Sequence, residues 1–425
     1  MPLQIKIHRG ANQIGGCITE ISTNTTKILI DLGKNLPSEA GDKDSMANNE
    51  SVEEVTKGCS AIFYTHLHGD HIDLFEYVPD DIKIPQYIGE GAREVLLRKY
   101  ETLSKYKSHN DKEKALNKIK NNFKGYTAGH AKKIGDISVT PYFTSHSAFD
   151  SYMLLIEAEG LRILHTGDFR SHGYLGKTVN IIIDKIKSVD VLITEGTMLS
   201  RMNEKVLMEN DLKNRAIEIM KQYKYVFVLT SSTDMERLAT FNAATENFPG
   251  RLFLRDEYQN DILNIFTAWS GKHSKLFDFG KKPYYNPKNE KTNTYIKEHG
   301  FTFPIRTSMQ RMVDELLNKL DDQQNTVLIY SMWNGYYIDP SKPYYSEDAS
   351  RMRSKFQNCI DLHTSGHADA KTLEFLCKSL NPRLAIIPIH KDKHSDFSKL
   401  NIPDELKNKI VTDSFVTENL IVESH

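Results

Sequence analysis

From Leu3 to about residue 200, short apolar runs alternate with polar loops. Segments 3–8, 27–31, 61–65, 137–143, 153–157, 162–166 and 189–194 are each rich in Ile, Val, Leu or aromatic residues, and each is predicted as a strand. From about Met198 the texture changes to strand followed by long helix: 225–230 then 235–244, 252–254 then 259–269, and a helix at 309–320 before a strand at 326–330. That alternation predicts a parallel, Rossmann-like sheet covered by helices. After Tyr345 the pattern gives a helix at 350–357, a strand-like 359–363, a helix at 370–380 and the very apolar strand 384–389. No internal repeat is present, and the polar loop 37–50 reads as a mobile flap or a plain connection.

A chain of 425 residues exceeds one ordinary core and predicts two or three domains. Apolar content of 39% and charged content of 26% are those of a soluble globular protein. No apolar run is long enough for a membrane span, and the N-terminus lacks a signal-peptide core, so a cytoplasmic location is expected. Cys17, Cys59, Cys359 and Cys377 form no C-x-x-C pair and read as reduced, structural thiols. The net charge of −1 argues against nucleic-acid coating by bulk charge. A local patch exists all the same, with twelve Lys or Arg against four acids between Ala92 and Lys133. It fits either the solvated face of two surface helices or a contact for a polyanion.

The candidate chemistry begins at Thr65-His66-Leu67-His68-Gly69-Asp70-His71, directly after an apolar run. In extended chain His66 and His68 project to one side and can grip one ion, while the turn at Gly69 aims Asp70 and His71 elsewhere, toward a second. His146 follows the strand at 137–143, Asp168 follows 162–166 beside Gly167, and His390 ends the last apolar strand. Each is a weak signal alone, but a strand-end carboxylate such as Asp168 can bridge two cations.

Together these residues resemble the metallo-β-lactamase superfamily, which implies an α/β fold, an αββα sandwich with metals at the edge of two packed sheets. The resemblance implies one ion on His66, His68 and His146, another on Asp70, His71 and His390, and Asp168 bridging; the ions are expected to be two Zn²⁺, with Mn²⁺ also tolerated by such ligands. Asp31 matches the early strand-end aspartate and is expected to orient ligands rather than bind metal. His165 and His130 are expected to be structural. More than two hundred residues separate Asp168 from His390, so a domain is inserted, and an inserted Rossmann-like α/β domain identifies the β-CASP branch. Its motifs are matched by Glu195 after the strand 189–194, by His363-Thr364-Ser365-Gly366-His367-Ala368, which is similar to ribonuclease J, and by Ile387-Pro388-Ile389-His390. The implied domains are 1–197, 198–345 (the insertion) and 346–425. Lys391 stands where the family usually has Gly, and Ser331-Met332-Trp333-Asn334 replaces the usual Pro-Gly-Asn-Glu. The chain ends a few dozen residues after His390, so no ribonuclease J-type C-terminal dimerisation domain is expected and oligomeric state stays open.

The resemblance implies phosphodiester hydrolysis by a hydroxide activated between two metals, in a cleft between the domains. Asp70 would orient that hydroxide, and His367 would give the leaving oxygen its proton, with Glu195 holding its tautomer. His363, Ser365 and Gly366 would contact the phosphate. Histidine at position 390 accompanies RNA-processing members, which makes single-stranded RNA the expected partner, cut endonucleolytically, from the 5′ end, or both. Lys and aromatic residues interleave between Lys275 and Tyr295 (Phe277, Phe279, Lys281, Lys282, Tyr284, Tyr285) and fit either base stacking or a packed surface loop. Three alternatives stay open: a DNA nuclease of the same fold, a thioester or lactam hydrolase, and a non-catalytic RNA-binding homologue.

Overall fold

The computed structural model describes residues 3–37, 49–80, 83–105, 110–280, 284–411 and 420–422. Most of the polar loop 37–50, together with Lys107, Lys281 and Lys282, lies outside them. Two compact units result, one built from Met1–Ser171, Leu175–Glu204 and Gly366–His425, the other from His172–Tyr174 and Lys205–Ser365.

The first unit holds two sheets. One has the strand order Leu420–Val422, Leu3–Arg9, Ile18–Ser22, Lys27–Ile30, Ala61–Phe63, Gln86–Gly89, Phe123–Tyr126; the other runs Ala385–Ile389, Val191–Glu195, Leu161–His165, Ser151–Ala158, Ile137–Thr144, Lys132–Ile134. Alternate residues of both sheets make a shared core: Ile5, Ile7, Ile28, Ile30 and Phe63 from the first pack with Leu154, Ile156, Ile163, Ile193 and Ile387 from the second. The intervening residues of the second sheet, Met153, Leu155, Leu164 and Leu192, are buried on its other face beneath helices Thr178–Ile186 and Ala370–Leu380. Strands covered on both faces must be apolar throughout, which is why these read as continuous hydrophobic runs. Helix Ala370–Leu380 is legible for the same reason, with Leu373, Leu376, Cys377 and Leu380 forming one stripe. Its start is set by Asp369, whose carboxylate accepts from the Thr372 amide. On the first sheet's outer side, Glu90–Ser104 contacts strands Gln86–Gly89 and Phe123–Tyr126, and Asn110–Asn122 contacts the latter. Helix, sheet, sheet, helix is thus the observed layering.

The second unit is a five-stranded, all-parallel sheet in the order Leu252–Phe253, Phe301–Ile305, Tyr225–Leu229, Thr326–Tyr330, Cys359–Asp361. One face buries Phe227, Leu229, Phe301, Phe303 and Leu328 against Val313, Leu316 and Leu320 of helix Gln310–Leu320. Residues 346–365 belong to this unit, not to the sandwich as the sequence predicts. Strand Cys359–Asp361 pairs with Leu328–Tyr330 and carries the boundary from Tyr345 to Ser365.

The strand Phe301–Ile305 is absent from the prediction because it contains Pro304, and proline argues against an interior strand. The structure accommodates it. The Thr302 carbonyl accepts from Leu254 N at 2.8 Å on the side of the short edge strand Leu252–Phe253, and Pro304, two residues on, faces that side beyond the strand's end, where no N–H is needed.

Candidate metal centre

In the first unit, the strands that deliver candidate ligands share a direction within their sheets. Lys27–Ile30 and Ala61–Phe63 are parallel neighbours, as are Leu161–His165, Val191–Glu195 and Ala385–Ile389. Ile137–Thr144 is antiparallel to Ser151–Ala158, which is antiparallel to Leu161–His165, so it too ends at the same rim. Asp31, the 65–71 loop, His146, Asp168, Glu195 and His390 follow those carboxyl ends, the ordinary location of sites in α/β sheets.

The side chains converge. One group that can hold a cation is His66, His68 and His146; overlapping groups are His66, His71 and Asp168, and Asp168, Glu195, His367 and His390, with donor atoms within 4.8 Å of one another in each. His68 Nδ1 and His146 Nε2 are 3.2 Å apart. Two nitrogens about 2.0–2.1 Å from one tetrahedral ion would stand roughly 3.3 Å apart. Asp168 Oδ2 lies 3.1 Å from His71 Nε2, 3.5 Å from His390 Nε2, 3.8 Å from His146 Nε2 and 3.9 Å from His66 Nε2, so one carboxylate touches both halves of the cluster. Asp70 Oδ2 is 3.2 Å from His390 Nε2. His66 Nε2 and Asp168 Oδ1 are buried without a hydrogen-bond partner, and buried His71 Nε2 has the Asp168 carboxylate beside it. Buried polar atoms are rarely left without a partner, and a cation among them would meet both needs.

The outer hydrogen bonds fix which nitrogen faces inward. His71 Nδ1 lies 2.7 Å from Asp31 Oδ2, His146 Nδ1 2.7 Å from the Gly366 carbonyl, and both partners only accept, so each Nδ1 carries the proton. The Thr197 hydroxyl donates to the His390 carbonyl (3.0 Å), so its oxygen accepts from His390 Nδ1 at 2.7 Å. The Thr65 hydroxyl donates to Asp31 (2.9 Å) and accepts from His66 Nδ1 at 3.0 Å. Four imidazoles therefore present the Nε2 lone pair to the cluster, an arrangement that raises ligand basicity. Thr65, Thr197 and the Gly366 carbonyl are absent from the sequence reading, since a threonine or a backbone oxygen carries no motif of its own. Asp31 also accepts from Thr65 N at 2.7 Å and sits at φ 61°, a conformation Asp tolerates better than most residues.

Burial pushes His66, His68 and His146 below the ordinary histidine range and favours the neutral, ligating form. Burial opposes charge on His71 as well, but Asp168 and Asp31 outweigh it and raise its pKa. Asp168 and Asp70 resist burial and are lowered by their histidine neighbours.

Glu195, fully buried, accepts from Phe169 N (3.0 Å) and Ala368 N (3.3 Å) through Oε1, while Oε2 takes His367 Nδ1–H at 3.0 Å. His367 Nδ1 is also 3.7 Å from Asp168 Oδ2. Burial resists protonation of His367, but Glu195 and Asp168 raise its pKa overall.

Other predicted residues fall elsewhere. In the second unit, His363 Nδ1 accepts from Arg237 Nη1 at 3.2 Å and the Ser365 carbonyl from His172 Nε2 at 2.6 Å. In Ser365 and Gly366 it is carbonyls that the histidines engage, and the next helix starts only at Ala370, so the amide-based phosphate contact expected there has no helix terminus behind it. His165 is structural, held between Gly167 N (3.1 Å) and Thr19 Oγ1 (3.3 Å), whereas His130 lies exposed in a turn. Of the interleaved aromatics, Phe277, Phe279 and Tyr285 are core residues, and Tyr284 and Tyr295 are exposed. The basic patch lies on and around the helices Glu90–Ser104 and Asn110–Asn122, and part of it is spent internally: Lys112 and Lys99 pair with Glu76 and Asp73, and Lys118 with Asp80.

A family profile described as a Beta-lactamase superfamily domain matches residues 26–228. Ribonuclease J of Helicobacter pylori is 28% identical over 163 residues, 38% of this chain and 22% of that protein. Ribonuclease J of Mycoplasma genitalium is 24% identical over 92% of this chain and 68% of its own length. The aligned chain thus spans about a fifth of the Helicobacter relative. A crystal structure of a protein of unknown function from Enterococcus faecalis V583 shares the fold, with a TM-score of 0.72 at 17% identity over 99% of this chain and 100% of that one. Residues 26–228 thus carry a beta-lactamase superfamily domain, and the chain as a whole is similar to ribonuclease J.

Proposed function

We propose that the protein is a metal-dependent nuclease of the β-CASP type that hydrolyses phosphodiester bonds of single-stranded RNA. The observation that carries this reading is the pairing of a dinuclear donor set with His367 on Glu195, beside the same Asp168. His66, His68 and His146 would hold one divalent ion and Asp70, His71 and His390 the other, with Asp168 shared; nitrogen and carboxylate donors suit Zn²⁺ or Mn²⁺. Two such ions, when bound, supply positive charge for the phosphate and lower the pKa of water. Asp70 would orient the attacking water by accepting its hydrogen bond. Burial opposes charge on His367, but Glu195 and Asp168 raise its pKa overall, which suits it to donate its Nε2 proton to the leaving ribose oxygen. Glu195 is a positioning residue, since its two oxygens are committed to His367 and to the Phe169 and Ala368 amides. A lactam or thioester needs no such proton donor for a ribose oxygen, and His390 is the residue that accompanies RNA-processing relatives.

The test is cleavage of end-labelled RNA and matched DNA by wild type and by His367→Ala and Glu195→Gln. Both variants are expected to retain two metal equivalents and to lose about 10²- to 10⁴-fold in RNA cleavage rate. Undiminished cleavage by His367→Ala, or wild-type turnover of a lactam or thioester with RNA untouched, refutes the reading.

A further inference from the structure

The metal cluster has one donor that the proposed ligand set does not use. Cys17 Sγ, His71 and His390 form a group whose ligating atoms all lie within 4.8 Å of one another, and all three residues are buried. His71 offers Nε2 to this group, since its Nδ1 is taken by Asp31 at 2.7 Å. A buried cysteine is most often a small apolar packing residue. Here the sulfur lies in one group with two imidazoles.

The backbone holds Cys17 against the ligand loop from several sides. Cys17 N donates to the Asp70 carbonyl at 3.1 Å, and Gly33 N donates to the Cys17 carbonyl at 3.1 Å. Any side chain at position 33 would collide with both segments, since a Cβ there would stand 1.8 Å from the Asp70 oxygen and 2.9 Å from Cys17 N. Gly10, at φ +99°, brings a second strand of chain against the sulfur, where a Cβ would lie 2.9 Å from Sγ, and its carbonyl accepts from His390 N at 2.6 Å. Two glycines thus permit the close approach that places Cys17 among residues 70, 71 and 390.

We infer that Cys17 is a thiolate ligand of the ion held by Asp70, His71 and His390, giving the two metal positions different chemistry: nitrogen donors with a shared carboxylate at one, an added sulfur at the other. Around one tetrahedral ion, with a Zn–S bond of about 2.3 Å and Zn–N bonds of about 2.0–2.1 Å, these donors would stand roughly 3.3–3.6 Å apart, so the group draws inward as the ion binds. As the ion enters, the S–H bond breaks, the sulfur electron pair forms the bond to the metal, and the proton leaves to solvent. The sulfur makes this position the more thiophilic of the two, favouring Zn²⁺ or Co²⁺ over Mn²⁺. The inference rests on the dinuclear reading above.

Cobalt substitution separates the two. The metal-free full chain is titrated with Co²⁺ and followed by absorption in the visible, where any Co²⁺ in a protein site absorbs, and in the near ultraviolet, where only thiolate-to-cobalt charge transfer does. Wild type is expected to show both bands. Cys17→Ser is expected to keep the visible bands of two ions, lose the near-ultraviolet band, and bind one of the two ions roughly tenfold or more weakly. Visible bands without a charge-transfer band in wild type would overturn the role of Cys17 while leaving the dinuclear site standing; that spectrum needs no variant to fold. A charge-transfer band that survives in Cys17→Ser would assign the sulfur to another cysteine and overturn the inference as well. No Co²⁺ absorption of any kind would overturn the metal reading itself.

Discussion

Replacing Asp31 by Asn changes one atom in a residue that touches no proposed ion, and it is expected to weaken the metal centre through a histidine tautomer. The two carboxylate oxygens of Asp31 meet Thr65 N at 2.7 Å and His71 Nδ1 at 2.7 Å, with the Thr65 hydroxyl at 2.9–3.1 Å. An Asn side chain accepts the left-handed backbone at φ 61° as Asp does, so the loop keeps its path. Its amide oxygen must face Thr65 N, because a backbone N–H can only donate. The NH₂ group then faces His71 Nδ1, which becomes an acceptor, and the neutral ring carries its proton on Nε2. That is the atom 3.1 Å from Asp168, where a lone pair is needed for the ion. Losing such an orienting carboxylate costs about 10- to 100-fold in metal affinity, or about 1.4–2.7 kcal/mol. Competition of Asp31→Asn and wild type against a chromogenic chelator, with metal content measured on the recovered protein and circular dichroism for the fold, gives the difference. Full occupancy of both positions at wild-type affinity in a folded Asp31→Asn protein would refute the tautomer argument.

Two further outcomes test the fold and its pH dependence. In the second unit Arg237 and Glu209 are both about 1% exposed and joined by bonds of 2.9–3.2 Å, so Arg237→Ala should strip a partner from a buried carboxylate and cost about 3–5 kcal/mol in urea unfolding, and Arg237→Met with Glu209→Leu should cost less; equal loss in both would contradict this. Burial holds His165 at about 4, below its unfolded value of about 6.5, so the unfolded chain binds more protons between those values, and the contribution of His165, complete above pH ~6.5, is lost as pH falls toward 4. On the order of 3 kcal/mol is at stake, and metal-free His165→Gln should lose less stability than metal-free wild type between pH 7 and 4.5; parallel losses would sink the assignment.

Much of this protein is legible in its sequence because its core strands are covered on both faces, so that runs such as 27–31, 153–157 and 326–330 are apolar without interruption. Strands Ile18–Ser22 and Lys132–Ile134 are not legible, since Ile18–Ser22 has threonine, glutamate and serine among its five residues, and Lys132–Ile134 is three residues at a sheet edge. The 65–71 cluster is visible as local spacing, and His146, Asp168 and His390 as single polar residues at the ends of strands. What the chain cannot state by itself is their convergence, because the register of parallel strands with distant partners, Glu195 opposite Ile389 for example, is fixed by packing between segments nearly two hundred residues apart. Tertiary structure likewise decided which nitrogen of each histidine faces inward, through a threonine hydroxyl or a glycine carbonyl that no spacing announces. It also moved Cys17 from a presumed packing thiol to a neighbour of His71 and His390, since two glycines in separate loops let three stretches of backbone approach more closely than side chains would allow.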